Sequence, residues 1–180
     1  PTLSAQEPQP PAQSEPQVAP PPAAPVAVKS ESGHAITQHA VTIEGQRVEC
    51  TARAGRLALE TEDGKDKADV FFVAYTRDGV TDLAQRPITF SFNGGPGSSS
   101  VWLHMGALGP RRVRLEPEGW APPPPYALAD NEQSWLDVTD LVFIDPVTTG
   151  YSRAAAGEDA KQFHGVTDDV KWMAEFIRLY

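Results

Sequence analysis

The chain has 180 residues, with 15 Lys and Arg against 24 Asp and Glu and a formal charge of −9. That balance argues against nucleic acid as a partner, because phosphate binding needs clustered cations and the one basic cluster, Arg111, Arg112 and Arg114, is too small to supply them. A single cysteine, Cys50, excludes an internal disulfide; no run of about 18 apolar residues offers a membrane span; and no H-E-x-x-H, C-x-x-C or D-x-D-x-D-G pattern supports a metal site, so no cofactor is expected.

Residues 1–33 are predicted to be a disordered proline-rich linker, since nine of the chain's 18 prolines fall in the first 25 positions. Such a segment has too little apolar surface to offset its ordering entropy and favours polyproline-like extension. It reads as a tether, or as a docking segment for a proline-binding module. Residues 34–180 form the globular part. Val41 to Cys50 and Leu57 to Glu60 read as hairpin strands around Ala54-Gly55, with Cys50 a half-buried thiol, and Val70 to Tyr75 as a stronger strand ending at Arg77-Asp78-Gly79. Arg86 to Phe92 is the next strand, and it empties into the glycine-rich run Asn93-Gly94-Gly95-Pro96-Gly97-Ser98-Ser99-Ser100 ahead of a helical segment.

Pro122 to Pro125 predict an exposed rigid loop, and the continuous apolar run Leu141 to Ile144 predicts a strand buried on both faces. Val170, Met173, Phe176, Ile177 and Tyr180 recur at helical spacing, so Thr167 to Tyr180 reads as a helix packed on the sheet and capped by Thr167 or Asp168. The fold class is α/β, an antiparallel start leading into parallel strands.

The glycine run carries the chemistry. Glycine lets backbone approach a ligand closely, and proline fixes one φ and removes one competing donor. Fixed N–H donors aimed at an oxygen that gains charge in acyl transfer form an oxyanion hole. The alternative is a tight connection without chemistry. A phosphate cradle is disfavoured, since neither G-x-x-x-x-G-K-[ST] nor G-x-G-x-x-G fits the run. Ser152, in Gly150-Tyr151-Ser152-Arg153-Ala154, imitates a nucleophile elbow, yet Ala156 to Asp159 reads as a loop where the elbow demands a helix. Ser98, Ser99 and Ser100 read as turn and helix-cap hydroxyls, and His34, His39, His104 and His164 as structural residues.

The motif Asn93 to Ser99 resembles the N-G-G-P-G-x-S-S turn of the serine carboxypeptidase family. Leu108-Gly109-Pro110 is similar to its L-G-P, and Asn131-Glu132-Gln133-Ser134-Trp135 to its N-x-x-S-W. Val142 to Ser152 resembles its D-x-P-x-G-x-G-[FY]-S segment, with one residue fewer before the proline and Thr149 in place of a glycine. The resemblance implies a partial α/β-hydrolase fold and acyl-enzyme chemistry by a Ser-Asp-His triad on the C-terminus of a peptide or protein. It implies that the Gly95 N–H serves the oxyanion hole and that Asn93, with Gly94, binds the substrate's terminal carboxylate. The chain departs from the family at Ala107, where a glutamate of the carboxylate network stands, at Ser98, where many members carry a cysteine, and at Trp102, a small polar position that helps shape the leaving-group pocket.

On this reading the chain is an amino-terminal fragment. Nucleophile, Asp and His fall beyond Tyr180, the piece alone is inactive and folds poorly, and the whole enzyme is periplasmic or secreted. The alternatives are a non-catalytic binding or scaffold module that uses the proline-rich arm, and an esterase or aminopeptidase of the same fold.

Overall fold

The computed structural model describes residues 26–29, 33–94 and 97–180. Most of the proline-rich arm, and Gly95 with Pro96, lie outside the described residues. Within the range assigned to the arm, Val26–Lys29 forms strand β1, where proline stops and a β-branched pair begins. Then come β2 (Ala35–Ile43), β3 (Gln46–Glu60), β4 (Asp66–Arg77), β5 (Ile88–Phe92), helix α1 (Val101–Leu103), β6 (Arg111–Val113), β7 (Leu128–Asp130), β8 (Asp140–Ile144), β9 (Arg153–Ala154) and helix α2 (Val166–Leu179).

One mixed sheet runs in the order β1-β2-β3-β4-β8-β5, with β9 on a further stretch of β4. Neighbours from β1 to β8 pair antiparallel, and β5 pairs parallel with β8, Ile88 opposite Asp140 through Phe92 opposite Ile144. The antiparallel start leading into parallel strands is therefore observed. Among the described residues the other edge of β5 has no strand beside it. A separate hairpin, β6 with β7, carries Pro123 to Pro125 exposed in its loop.

The predicted hairpin at Ala54-Gly55 is corrected. The turn lies at Glu44-Gly45, whose positive φ values of 47° and 73° are those of a tight two-residue hairpin turn, and β3 passes through Gly55 without a break. Gly55 is glycine because the His34 ring lies over it: a Cβ there would fall on the imidazole, which meets the Phe72 ring edge-on at 5.5 Å. A glycine inside a strand marks close approach as readily as a turn.

Alternation in β4 and β8 divides the core. Val70, Phe72, Ala74, Val142 and Ile144 face Met173 and Phe176 of α2, whereas Leu141 and Phe143 face Val41, Val48, Cys50 and Leu136, with Leu103 of α1 packed alongside. The strand at Leu141 to Ile144 is thus buried on both sides, as its unbroken apolar run requires.

Of the five residues predicted for the buried helix face, Met173 and Phe176 are enclosed. Val170 is 65% exposed, and Ile177 and Tyr180 are partly open. The predicted cap is also corrected. Gly165 occupies the capping position with no side-chain hydrogen bond, because Thr167 and Asp168 already lie inside the first turn, where Asp168 and Asp169 complement the helix dipole instead.

Candidate functional site

Parallel pairing with β8 carries the chain to Asn93 and Gly94 at the carboxyl end of β5, a usual position for ligand sites in α/β sheets. The Asn93 side chain folds back over the turn: Nδ2 donates to Ser98 Oγ at 2.7 Å, and Oδ1 accepts the Gly94 N–H at 3.1 Å. Asparagine bonds of this local kind compete with regular secondary structure and favour turns. Gly97, at φ 92°, supplies the left-handed residue that lets the chain double back into α1.

The hydroxyls divide differently from the expected turn-and-cap pair. Ser98 belongs to the turn. Ser100 stands at the capping position of α1 but makes no capping bond; its hydroxyl donates to the Ile144 carbonyl and ties the helix to β8.

Asp145, to which the sequence reading gave no role, organises the site. Its buried carboxylate accepts the Ser100 N–H on Oδ1 at 2.9 Å and the Tyr151 N–H on Oδ2 at 3.1 Å, so one side chain joins the exit of the glycine turn to the loop after β8. Gly150, at φ 46°, lies against that carboxylate so closely that a Cβ would collide with it. The glycine position of this segment is also reassigned. Thr148, not Thr149, holds the left-handed backbone, at φ 74°, and its hydroxyl pairs with His164 Nε2 at 2.9 Å. Thr149 is buried, with both N–H and hydroxyl donating to the Pro146 carbonyl at 2.9 Å.

Ser152 is fully enclosed. Its hydroxyl donates to the Asp145 carbonyl at 2.6 Å and accepts the Phe71 N–H at 2.7 Å, which leaves it no freedom to attack a substrate.

The turn is supported from below by the Asn131-to-Trp135 motif. Asn131 Nδ2 donates to the carbonyls of Ala107 and Gly109 at 2.7 and 2.8 Å, and Ser134 Oγ donates to that of Leu108 at 2.8 Å. These are the carbonyls left orphaned where the helical segment after Ser100 ends, so the motif is a cap supplied from elsewhere in the chain. The signal was legible as a motif, but its geometry was not.

His104, inside that segment, stacks on Phe143 at 4.6 Å, and its Nε2 meets the Tyr75 hydroxyl at 2.8 Å. Burial holds the imidazole down at about 4, against a smaller opposing pull from Asp145. Burial also pushes Tyr75 up, and the Cys50 thiol to about 12. At neutral pH the imidazole is therefore too weak a base, and the phenol and thiol stay protonated, so none is a ready base or nucleophile.

Asn93 and Gly94 thus border a cavity of about 360 Å³, closed by Val147, Thr148, His164 and the Met173 side of α2. Of the residues predicted for the site, Asn93 and Gly94 are brought together at this rim, and Gly95 lies outside the described residues. Among the described residues no cluster of three metal-ligating side chains occurs, and no helix is long and apolar enough to cross a membrane.

Comparison with known proteins agrees with this framework. The pheromone-processing carboxypeptidase KEX1 of Saccharomyces cerevisiae is 32% identical over 137 residues, covering 71% of this chain and 18% of that protein. Its counterpart in Coprinopsis cinerea is 34% identical over 113 residues, covering 62% and 16%. The crystal structure of Kex1(delta)p, a prohormone-processing carboxypeptidase from Saccharomyces cerevisiae, superposes with a TM-score of 0.54 at 31% identity, over 71% of this chain and 27% of that one. The sheet is therefore that of a carboxypeptidase of α/β-hydrolase type, and the chain spans less than a fifth of the curated relatives named. The profile of the family described as serine carboxypeptidase matches residues 44–179, three quarters of the sequence, and the chain belongs to that family.

Proposed function

We propose that this chain is the part of a serine carboxypeptidase that supplies the oxyanion and carboxylate-binding turn, and that the whole protein removes residues from peptide C-termini through an acyl-enzyme. The reading is supported by one observation above all: Asn93 and Gly94 stand at the carboxyl end of a parallel strand, on the rim of a cavity, with Asn93 bonded to Ser98 and the Ser100 N–H to Asp145. Rigid donors cost little reorganisation when charge develops on a substrate oxygen. In this reading the Gly95 N–H donates to that oxygen. Asn93 Nδ2, which has a second hydrogen beyond the one given to Ser98, donates to the terminal carboxylate. In this reading these 180 residues supply the turn but not the triad, and alone they are inactive. The proline-rich arm suits an enzyme exported to the periplasm or medium, which cell fractionation tests directly.

The decisive assay compares matched peptides with free and amidated C-termini on the complete protein. Asn93→Ala is expected to raise KM for the free acid by about 10- to 100-fold, the value of one hydrogen bond to a charged group, with little effect on the amide. Equal turnover of acid and amide by the unmodified enzyme removes the carboxylate role and selects an esterase or aminopeptidase of the same fold.

A further inference from the structure

Trp102 and Met105 form one wall of an open groove of about 660 Å³, and Arg112, Arg114 and Leu115 line the other. Trp102 is 70% exposed and Leu115 54% exposed, with Trp120 standing free a few residues on. Neither Arg112 nor Arg114 has an ion-pair partner among the described residues, and a single carboxylate, Glu116, lies at the rim. On a chain of net charge −9, two open guanidiniums beside bare aromatic surface are a local reversal of character. Apolar surface of this kind marks an interaction site.

We infer that the groove receives the chain's own proline-rich arm, residues 1–25. That segment has nine prolines, no Lys or Arg, and two acids, Glu7 and Glu15. Polyproline ridges seat on aromatic-lined grooves because their backbone is already extended, and carboxylates placed along such a ridge form charge-assisted bonds with arginine. The point of entry agrees. Val26 lies opposite Gln38 and β1 runs antiparallel to β2, so the first residue of β1 is its nearest to Thr42 to Gly45. There the β6–β7 hairpin is fastened: Asp130 Oδ2 accepts the Thr42 N–H at 2.8 Å, and Glu132 accepts the N–H groups of Glu44 and Gly45. The arm therefore joins the sheet at the end that carries one wall of the groove. Thr42 is four residues of β2, or ~13 Å, beyond Gln38. At ~3.1 Å per residue an extended arm spans roughly 75 Å, ample to cover that distance and cross the hairpin.

The test uses the complete protein with Gln13, between the two acids, exchanged for photoreactive p-benzoylphenylalanine. After irradiation, mass spectrometry should place the cross-links within residues 101–119. Arg112→Glu with Arg114→Glu should cut their yield at least fivefold, and adding Glu7→Lys with Glu15→Lys should restore it, circular dichroism confirming an unchanged fold in each variant. Cross-links scattered over the sheet, cross-links joining two copies, or a yield indifferent to the charge exchange would each overturn the assignment.

Discussion

At the scale of single residues, the site depends on Asp145 more than on any hydroxyl. Its carboxylate is buried and pinned by two backbone N–H donors, so it cannot move aside for a neighbour. Gly150→Ala, which adds a methyl at positive φ against that group, is therefore expected to cost about 3 kcal/mol or more, whereas Thr148→Gly should gain about 1 kcal/mol by relieving a β-branched residue in the left-handed region. Urea denaturation of the two variants measures both, and the opposite signs are the informative part. The residue that sequence reading named as the glycine replacement, Thr149, is an ordinary buried threonine. Counted on from Pro146, the motif's first glycine falls on Thr148 rather than Thr149, and the φ angle of 74° there agrees.

At the scale of elements, what was legible followed from periodicity. The unbroken run at β8 and the spacing of Met173 and Phe176 identified a strand enclosed on both sides and the helix that covers one of them. The turns were less legible, because Glu44-Gly45 and Ala54-Gly55 look alike in sequence and only the ring of His34 separates a turn glycine from a packing glycine. The helical segment after the glycine turn carries a pH dependence of its own. His104 is neutral in the fold down to about pH 4, while the unfolded chain takes up a proton near 6.5. Between those values the unfolded state binds more protons, so stability falls as the pH falls through the window and is retained above it. From pH 6.5 to pH 5 the loss should be about 1.5 kcal/mol, and His104→Gln should flatten it. Equilibrium unfolding at stepped pH reads the slope.

At the scale of the molecule, Asp140 joins three strands. Its carboxylate accepts the Arg86 guanidinium at 2.6 Å and the Arg77 N–H at 3.1 Å, and its own N–H donates to the Pro87 carbonyl, so β4, β8 and the two residues leading into β5 meet at one aspartate. Arg86 is almost fully covered, and Arg86→Ala should destabilise by about 3 kcal/mol because it leaves a largely buried charge without its partner. Thermal melts of the variant against the parent check this. None of that network was visible beforehand, since Arg86 and Asp140 are 54 residues apart and neither belongs to a motif. The site was partly visible: the motif gave Asn93 and Gly94, while the supports at Asp145, Asn131 and Ser134 emerged only when distant segments met.

The open flank of β5 has a practical consequence. Among the described residues no strand covers this edge, and main-chain donors and acceptors next to the half-exposed Ile88 and Phe92 are a surface on which an extended peptide can pair. Expressed by itself, this stretch of sequence should self-associate with rising concentration, seen as a growing hydrodynamic radius in size-exclusion runs. A lysine placed at Ile88, pointing charge along that flank, should keep it dispersed.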